Sequence, residues 1–185
     1  GVYRLLQGDR NARFGSSLAA GQLDDDSVVD LAVGARTRSV EQSTRGSVSV
    51  YSGAVLRELP FFSIEDVWQN PPHQPEMLGL VSGTAVNGEF GFSVAVAGRK
   101  LAVGAPNDQV GDLAPVGRIY LYSWSSIEDS LKAHSEIIGE TQRPGGRVGE
   151  RLAGATKAGR EFLFGGSFGN ANGLDNGSVY FWDGR

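Results

Sequence analysis

From Gln22 to Asp30 the chain reads Gln-Leu-Asp-Asp-Asp-Ser-Val-Val-Asp, with apolar, glycine-punctuated runs on either side. Both flanking runs read as strands, which puts Asp24, Asp25 and Asp26 at a hairpin tip. Carboxylates crowded into one turn repel each other unless water, turn hydrogen bonds or something positive offsets them. Asp25 and Asp26 also suit turn positions in their own right. Paired acids can serve glycoside hydrolysis, but that chemistry needs them to flank a cleft. Asp24 and Asp26 share one turn and lack a pocket.

Other chemical signatures are sparse. Gly165-Gly166-Ser167-Phe168-Gly169 fits the G-x-S-x-G elbow of hydrolases, which needs a strand, a sharp turn and then a helix. Here loop formers follow, and both histidines, His73 and His134, precede the serine. With 2 histidines and no cysteine, transition-metal catalysis and thiol chemistry lack residues. No phosphate-binding loop motif occurs. Asn176-Gly177-Ser178 matches a glycosylation sequon, but Asn-Gly is a common turn pair, and the turn is the favoured reading. The chain is expected to be non-catalytic.

The elements that must position these residues come from the repeats. Gly is unusually frequent, at 27 of 185 residues, which favours a turn-rich, all-β chain. RFGSSLAAG, VVDLAVGA and RGSVSVYSG are followed by EFGFSVAVAG, KLAVGAP and VGRIYLYSW, and then by RVGERLAGA, EFLFGGS and NGSVYFWDG. A strand with two apolar faces, such as Ile119–Tyr122, must be covered on both sides. Stacking one small sheet on the next does this, as propeller blades do. A fourth strand precedes each opening: YRLLQG, MLGLVSG and SEIIGE. The expectation is one domain over residues 1–185, with units near 9–83, 84–139 and 140–185. The strand at residues 1–8 is placed to complete the last sheet. Ser125 to Ile137 carries capping-box spacing for a short helix on the rim. The run from Pro60 to Met77 reads as an insertion with an irregular proline loop.

Phe14-Gly15-Ser16-Ser17 with Asp30-Leu31-Ala32-Val33-Gly34-Ala35, and Phe90-Gly91-Phe92-Ser93 with Leu101-Ala102-Val103-Gly104-Ala105-Pro106, resemble the FG-GAP repeat. That repeat builds integrin α-subunit propellers and the propeller part of GPI-specific phospholipase D. The third unit is degenerate, with Val148-Gly149 and Gly165-Gly166-Ser167. The resemblance implies four-stranded, propeller-type blades, about three in this chain. It also implies a calcium loop in the first hairpin. On the pattern D-x-[DN]-x-D-G-x-x-D the ligands fall on Gln22, Asp24, Asp26 and Asp30, with the Val28 carbonyl. Gln22 replaces a carboxylate, and Ser27 stands where the pattern has Gly. The tips of the second and third units are short and basic, and hold no ion.

The resemblance further implies a protein-association or adhesion module in an extracellular or cell-surface setting. It allows, as alternatives, the non-catalytic propeller segment of a larger enzyme and a carbohydrate-binding propeller using Tyr120, Trp124 or Trp182. Partner contacts are expected on loops between second and third strands: Arg36, Arg38 and Arg45 in one, Asp108 and Asp112 in the next. Phe62 and Trp68 of the insertion are further candidates for a partner surface. The partner is a protein or a second copy, including a six-bladed homodimer or a larger assembly; alternatively the three sheets are a fragment of a longer propeller or form an open arc. A net charge of -4 weighs against nucleic acid. No apolar run is long enough to span a bilayer, and the first residues lack a signal-peptide pattern.

Overall fold

The computed structural model describes residues 4–61, 75–109, 115–125, 130–138, 145–167 and 177–183. The chain is mostly β, in antiparallel sheets that follow the repeats. Unit one contains β1 (Phe14–Gly21), β2 (Asp30–Ala35), a small hairpin of β3 (Ser39–Val40) and β4 (Ser43–Thr44), then β5 (Ser47–Tyr51). A short helix, α1 (Gly53–Glu58), follows, and then β6 (Gly79–Ser82). The first sheet runs β1-β2-β5-β6. Unit two supplies β7 (Ser93–Ala97), β8 (Lys100–Ala105), β9 (Arg118–Ser125) and β10 (Ser130–Ile138), paired in sequence order. Unit three supplies β11 (Arg151–Lys157), β12 (Arg160–Ser167) and β13 (Ser178–Trp182).

The sheets pack face to face, with β1 beside β7 and β7 beside β11. Ala32, Val48 and Val50 of the first sheet meet Val94, Leu101 and Val103 of the second. The opposite face of the second sheet, with Ala102, Ile119 and Leu121, packs on Leu152 and Leu163 of the third. The middle sheet is therefore covered on both faces, which explains why its strands read as nearly unbroken apolar runs.

One turn recurs at the head of every unit. Arg13, Glu89 and Arg147 have φ of 53, 57 and 50°, and Gly15, Gly91 and Gly149 follow at 85, 84 and 87°. A left-handed conformation costs a non-glycine residue about 1–2 kcal/mol, so three recurrences reflect a shared constraint. The turn delivers a glycine carbonyl to the preceding unit. Ser17 Oγ donates to Gly91 O (2.8 Å), and Ser93 Oγ donates to Gly149 O (2.6 Å). Gly34 and Gly104 face those same carbonyls so closely that a Cβ at either position would collide with them.

Two expectations are corrected. The helix expected within Ser125–Ile137 is replaced, over the described residues, by β10. This strand pairs along β9 from Ser130↔Ser125 to Ile138↔Arg118, with an irregularity between Ala133 and Ser135. Leu131 packs on one core and Ile137 on the other, so burial on two faces outweighs a local capping signal. The helix that does form is α1, whose N-cap Ser52 Oγ accepts from Ala54 N. Residues 4–9 form no strand and do not complete the third sheet. Instead, Arg4 donates to the carbonyls of Arg57, in the last turn of α1, and of Leu59, just beyond it. The expected outer strands of the first two sheets do form, as β6 and β10.

Candidate functional site

The first hairpin loop is held by one apolar and one polar anchor. Leu23 is fully buried in the core between the first two sheets. Asp30, 1% exposed, accepts from Leu23 N (2.7 Å) and Asp24 N (3.3 Å) through Oδ2, and from Gly53 N (3.1 Å) through Oδ1. Its carboxylate thereby ties the loop to the first residue of α1. Asp24 Oδ1 accepts from Asp26 N (2.9 Å), and Asp26 Oδ1 accepts from Val28 N (2.6 Å). These are side chain-to-backbone turns of the kind Asp readily makes. Gln22 Nε2 donates to the carbonyl of Asp26.

This folding brings a carboxylate oxygen from each of Asp24, Asp26 and Asp30 within 4.8 Å of the others. A calcium ion holds oxygens at about 2.3–2.6 Å, so opposed ligands stand about 5 Å apart. The triad fits that span. Burial raises the Asp24 carboxyl above the usual carboxylate range, and the charges of Asp30 and Asp26 add to this; a hydrogen bond from the Asp26 backbone works against them. A cation seated among the three would relieve both causes. Val28 enters the loop through its N–H, and Gln22 lies across the loop backbone. Asp25 points elsewhere and pairs with Arg99 of the next unit's tip (2.7 Å).

The other end of the sheets carries the loops that join second to third strands. Arg36 reaches Glu89 at 3.4 Å, Asn107 Nδ2 donates to Glu89 Oε2 (2.8 Å), and Arg147 Nη1 donates to Asn107 Oδ1 (2.9 Å). Arg147 also pairs with Glu150 at 3.3 Å. The guanidiniums of Arg36 and Arg147 lie 4.8 and 5.9 Å from the centre of the Phe92 ring. The network crosses all three units. Glu89, Asn107 and Phe92 escaped the sequence reading. A signal existed: the residue before each Phe-Gly or Val-Gly opening is charged.

Arg38 pairs with Asp9 (2.7 Å) and Arg45 with Glu41 (3.5 Å). Asp108 departs from the expected exposed contact, because it is 3% exposed. It accepts from the Tyr120 hydroxyl, lies 3.6 Å from Arg118, and its carbonyl accepts from Val116 N and Gly117 N. Its position closes the loop from within. Burial first, and then Asp108, push the Tyr120 phenol well above its ordinary range. Trp124 is buried, and Tyr120 and Trp182 pack against the two cores. Ser167 Oγ donates to the carbonyl of Gly146. Phe62, Trp68, Asp112 and Asn176 lie outside the described residues. Among the described residues no helix is long and apolar enough to cross a membrane.

No protein-family model matches this chain, and no curated protein matches it.

Proposed function

We propose that the chain is a non-catalytic association module of the FG-GAP type, working outside the cell or at its surface. Its sheets act as propeller-type blades, its loop face takes a protein partner, and its first hairpin holds one calcium ion. The observation that carries this reading is the recurrence of one left-handed turn at the head of all three units, each internal copy seated on the glycine of the unit before. A repeat that uses its recurring positions for unit-to-unit contact leaves its loops available to a partner. The Arg36–Glu89–Asn107–Arg147 network holds that face rigid, which lowers the ordering cost of binding. The burial of Trp124 and the packing of Tyr120 and Trp182 favour a protein over a sugar as the ligand.

Two measurements test the reading. Calcium titrated into the chain gives saturable heat and a raised thermal midpoint, and Asp26→Ala loses both; a parent that does not respond removes calcium from the proposal. Probing paired arrays of extracellular proteins and glycans gives a protein ligand, weakened by charge reversal at Arg36 and Arg38. Binding to glycans alone would overturn the protein-association reading.

A further inference from the structure

One face of β9 and β10 carries a cavity that neither the first hairpin loop nor the loop face uses. Cross-strand partners share a face, so Tyr120, Tyr122 and Trp124 of β9 stand with Glu136, Ala133 and Leu131 of β10. The register slips by one residue between Ala133 and Ser135, in the middle of that row. The first unit covers the row at its two ends. Gly79 lies against Leu131 at one end, and the Thr84 hydroxyl hydrogen-bonds the Tyr120 phenol at the other. Between them a cavity of about 210 Å³ is left, lined by Tyr120, Leu121, Tyr122, Ala133, Ser135 and Glu136. The second sheet has both its neighbours within the chain, so the cavity is not a sheet face left bare at the limit of the sequence.

Its polar groups point to one kind of ligand. Tyr122 is 9% exposed, and among the described residues its hydroxyl has no hydrogen-bond partner. A buried phenol normally has one. Burial first, and then the charge of Glu136, push the Tyr122 phenol up to about 12. The carboxylate therefore stands near the hydroxyl without bonding to it. Two carboxylates share one cation here. Arg118 lies 2.9 Å from Glu136 and 3.6 Å from the buried Asp108, which also bonds Tyr120. Lys100 and Lys132 are in register with Ser123 and so belong to the opposite face. The corner has room for one more positive charge. Its volume is below the roughly 300–1,000 Å³ of pockets for drug-sized ligands, so it suits a head group. Both carboxylates repel an anion. A neutral hydroxyl would satisfy Tyr122 and leave the charge unbalanced. An ammonium brings three donors with a positive charge, and neighbouring aromatic rings add to its attraction.

We propose that this cavity is a binding site for an alkylammonium group, held by the Glu136 carboxylate and the Tyr122 hydroxyl oxygen. A lysine side chain of a protein and a free primary amine carry that same group. The site depends on neither the calcium loop nor the Arg36–Glu89–Asn107–Arg147 network.

The probe is n-butylammonium chloride at constant ionic strength, read on the ring resonances of isotope-labelled tyrosine. Saturable shifts of Tyr120 and Tyr122 are expected, with dissociation in the millimolar range. n-Butanol, which keeps the chain length without the charge, should give none. Glu136→Gln should weaken binding about tenfold, the worth of one charge-assisted contact. That change also cuts the tie to Arg118, so circular dichroism verifies its fold. Ala133→Lys adds a tethered ammonium at an exposed position paired with Tyr122. It leaves the Arg118 tie intact and should block the probe. An acetyl-Gly-Lys-Gly-amide peptide that binds at least as tightly as the amine assigns the group to a protein's lysine, and one that binds less tightly assigns it to a free amine. No saturable shift in the parent, equal shifts with n-butanol, or undiminished binding in either folded variant would overturn the proposal.

Discussion

The first hairpin differs from its two counterparts as a folded loop differs from a bare turn. The second and third units close in two residues. Between β7 and β8 the tip is Gly98-Arg99, with Gly98 at φ 55°. Between β11 and β12 it is Ala158-Gly159, with φ of 50 and 74°. Both follow the preference of tight hairpins for left-handed tip residues. The first unit inserts eight residues, Gln22 to Val29, at the same place. It stabilises them with a buried leucine, a buried carboxylate and Asp side chain-to-backbone turns rather than with left-handed tip residues. One connection in the repeat has thus been given material beyond what closing a hairpin requires, and that material gathers three carboxylates.

The contrast makes Asp30 the most sensitive position among the hairpins. Asp30→Ala strands the N–H groups of Leu23, Asp24 and Gly53, at about 1–3 kcal/mol per unsatisfied buried group. A loss of roughly 3 kcal/mol or more in urea unfolding is expected, with or without calcium, and a loss near zero would show the loop to be unanchored. An intermediate effect of opposite sign is expected at the third tip. Ala158→Gly releases a left-handed alanine, and strain relief of about 1–2 kcal/mol outweighs the added freedom of the unfolded chain, about 0.4–1 kcal/mol. The thermal midpoint should rise slightly; a fall would mean that the alanine is not strained. The smallest effect belongs to Arg99→Ala, which deletes an exposed pair with Asp25. It should change stability by about 0.5 kcal/mol or less and become silent at high salt. A larger, salt-resistant loss would mean that the two tips act as one structure.

Glycine placement made the repeat legible. Phe14-Gly15, Phe90-Gly91 and Val148-Gly149 announce the turns, and the outer strands β6 and β10 fall where apolar runs precede those openings. The carboxylate triad was legible too, because alternate acids in a short loop turn inward together. What the residues did not disclose depended on contacts distant in sequence. Ser125–Ile137 has a local capping pattern, yet β9 recruits its second half into a strand. Asp108 looks like a loop acid until Tyr120 and Arg118 draw it inside. Arg36 looks free until Glu89, 53 positions later, comes beside it. The segment before β1 reads as a strand, but a strand needs an edge to pair with, and residues 4–9 pair with no described strand.

Among the described residues the middle sheet alone has a neighbour on either side, and this orders how the molecule comes apart. Opening either outer sheet uncovers only one of its faces, so β8 keeps a dry flank until both are gone. Amide protons of Leu101, Ala102 and Val103, all fully buried, should exchange last, while those of β11 and β13 exchange early.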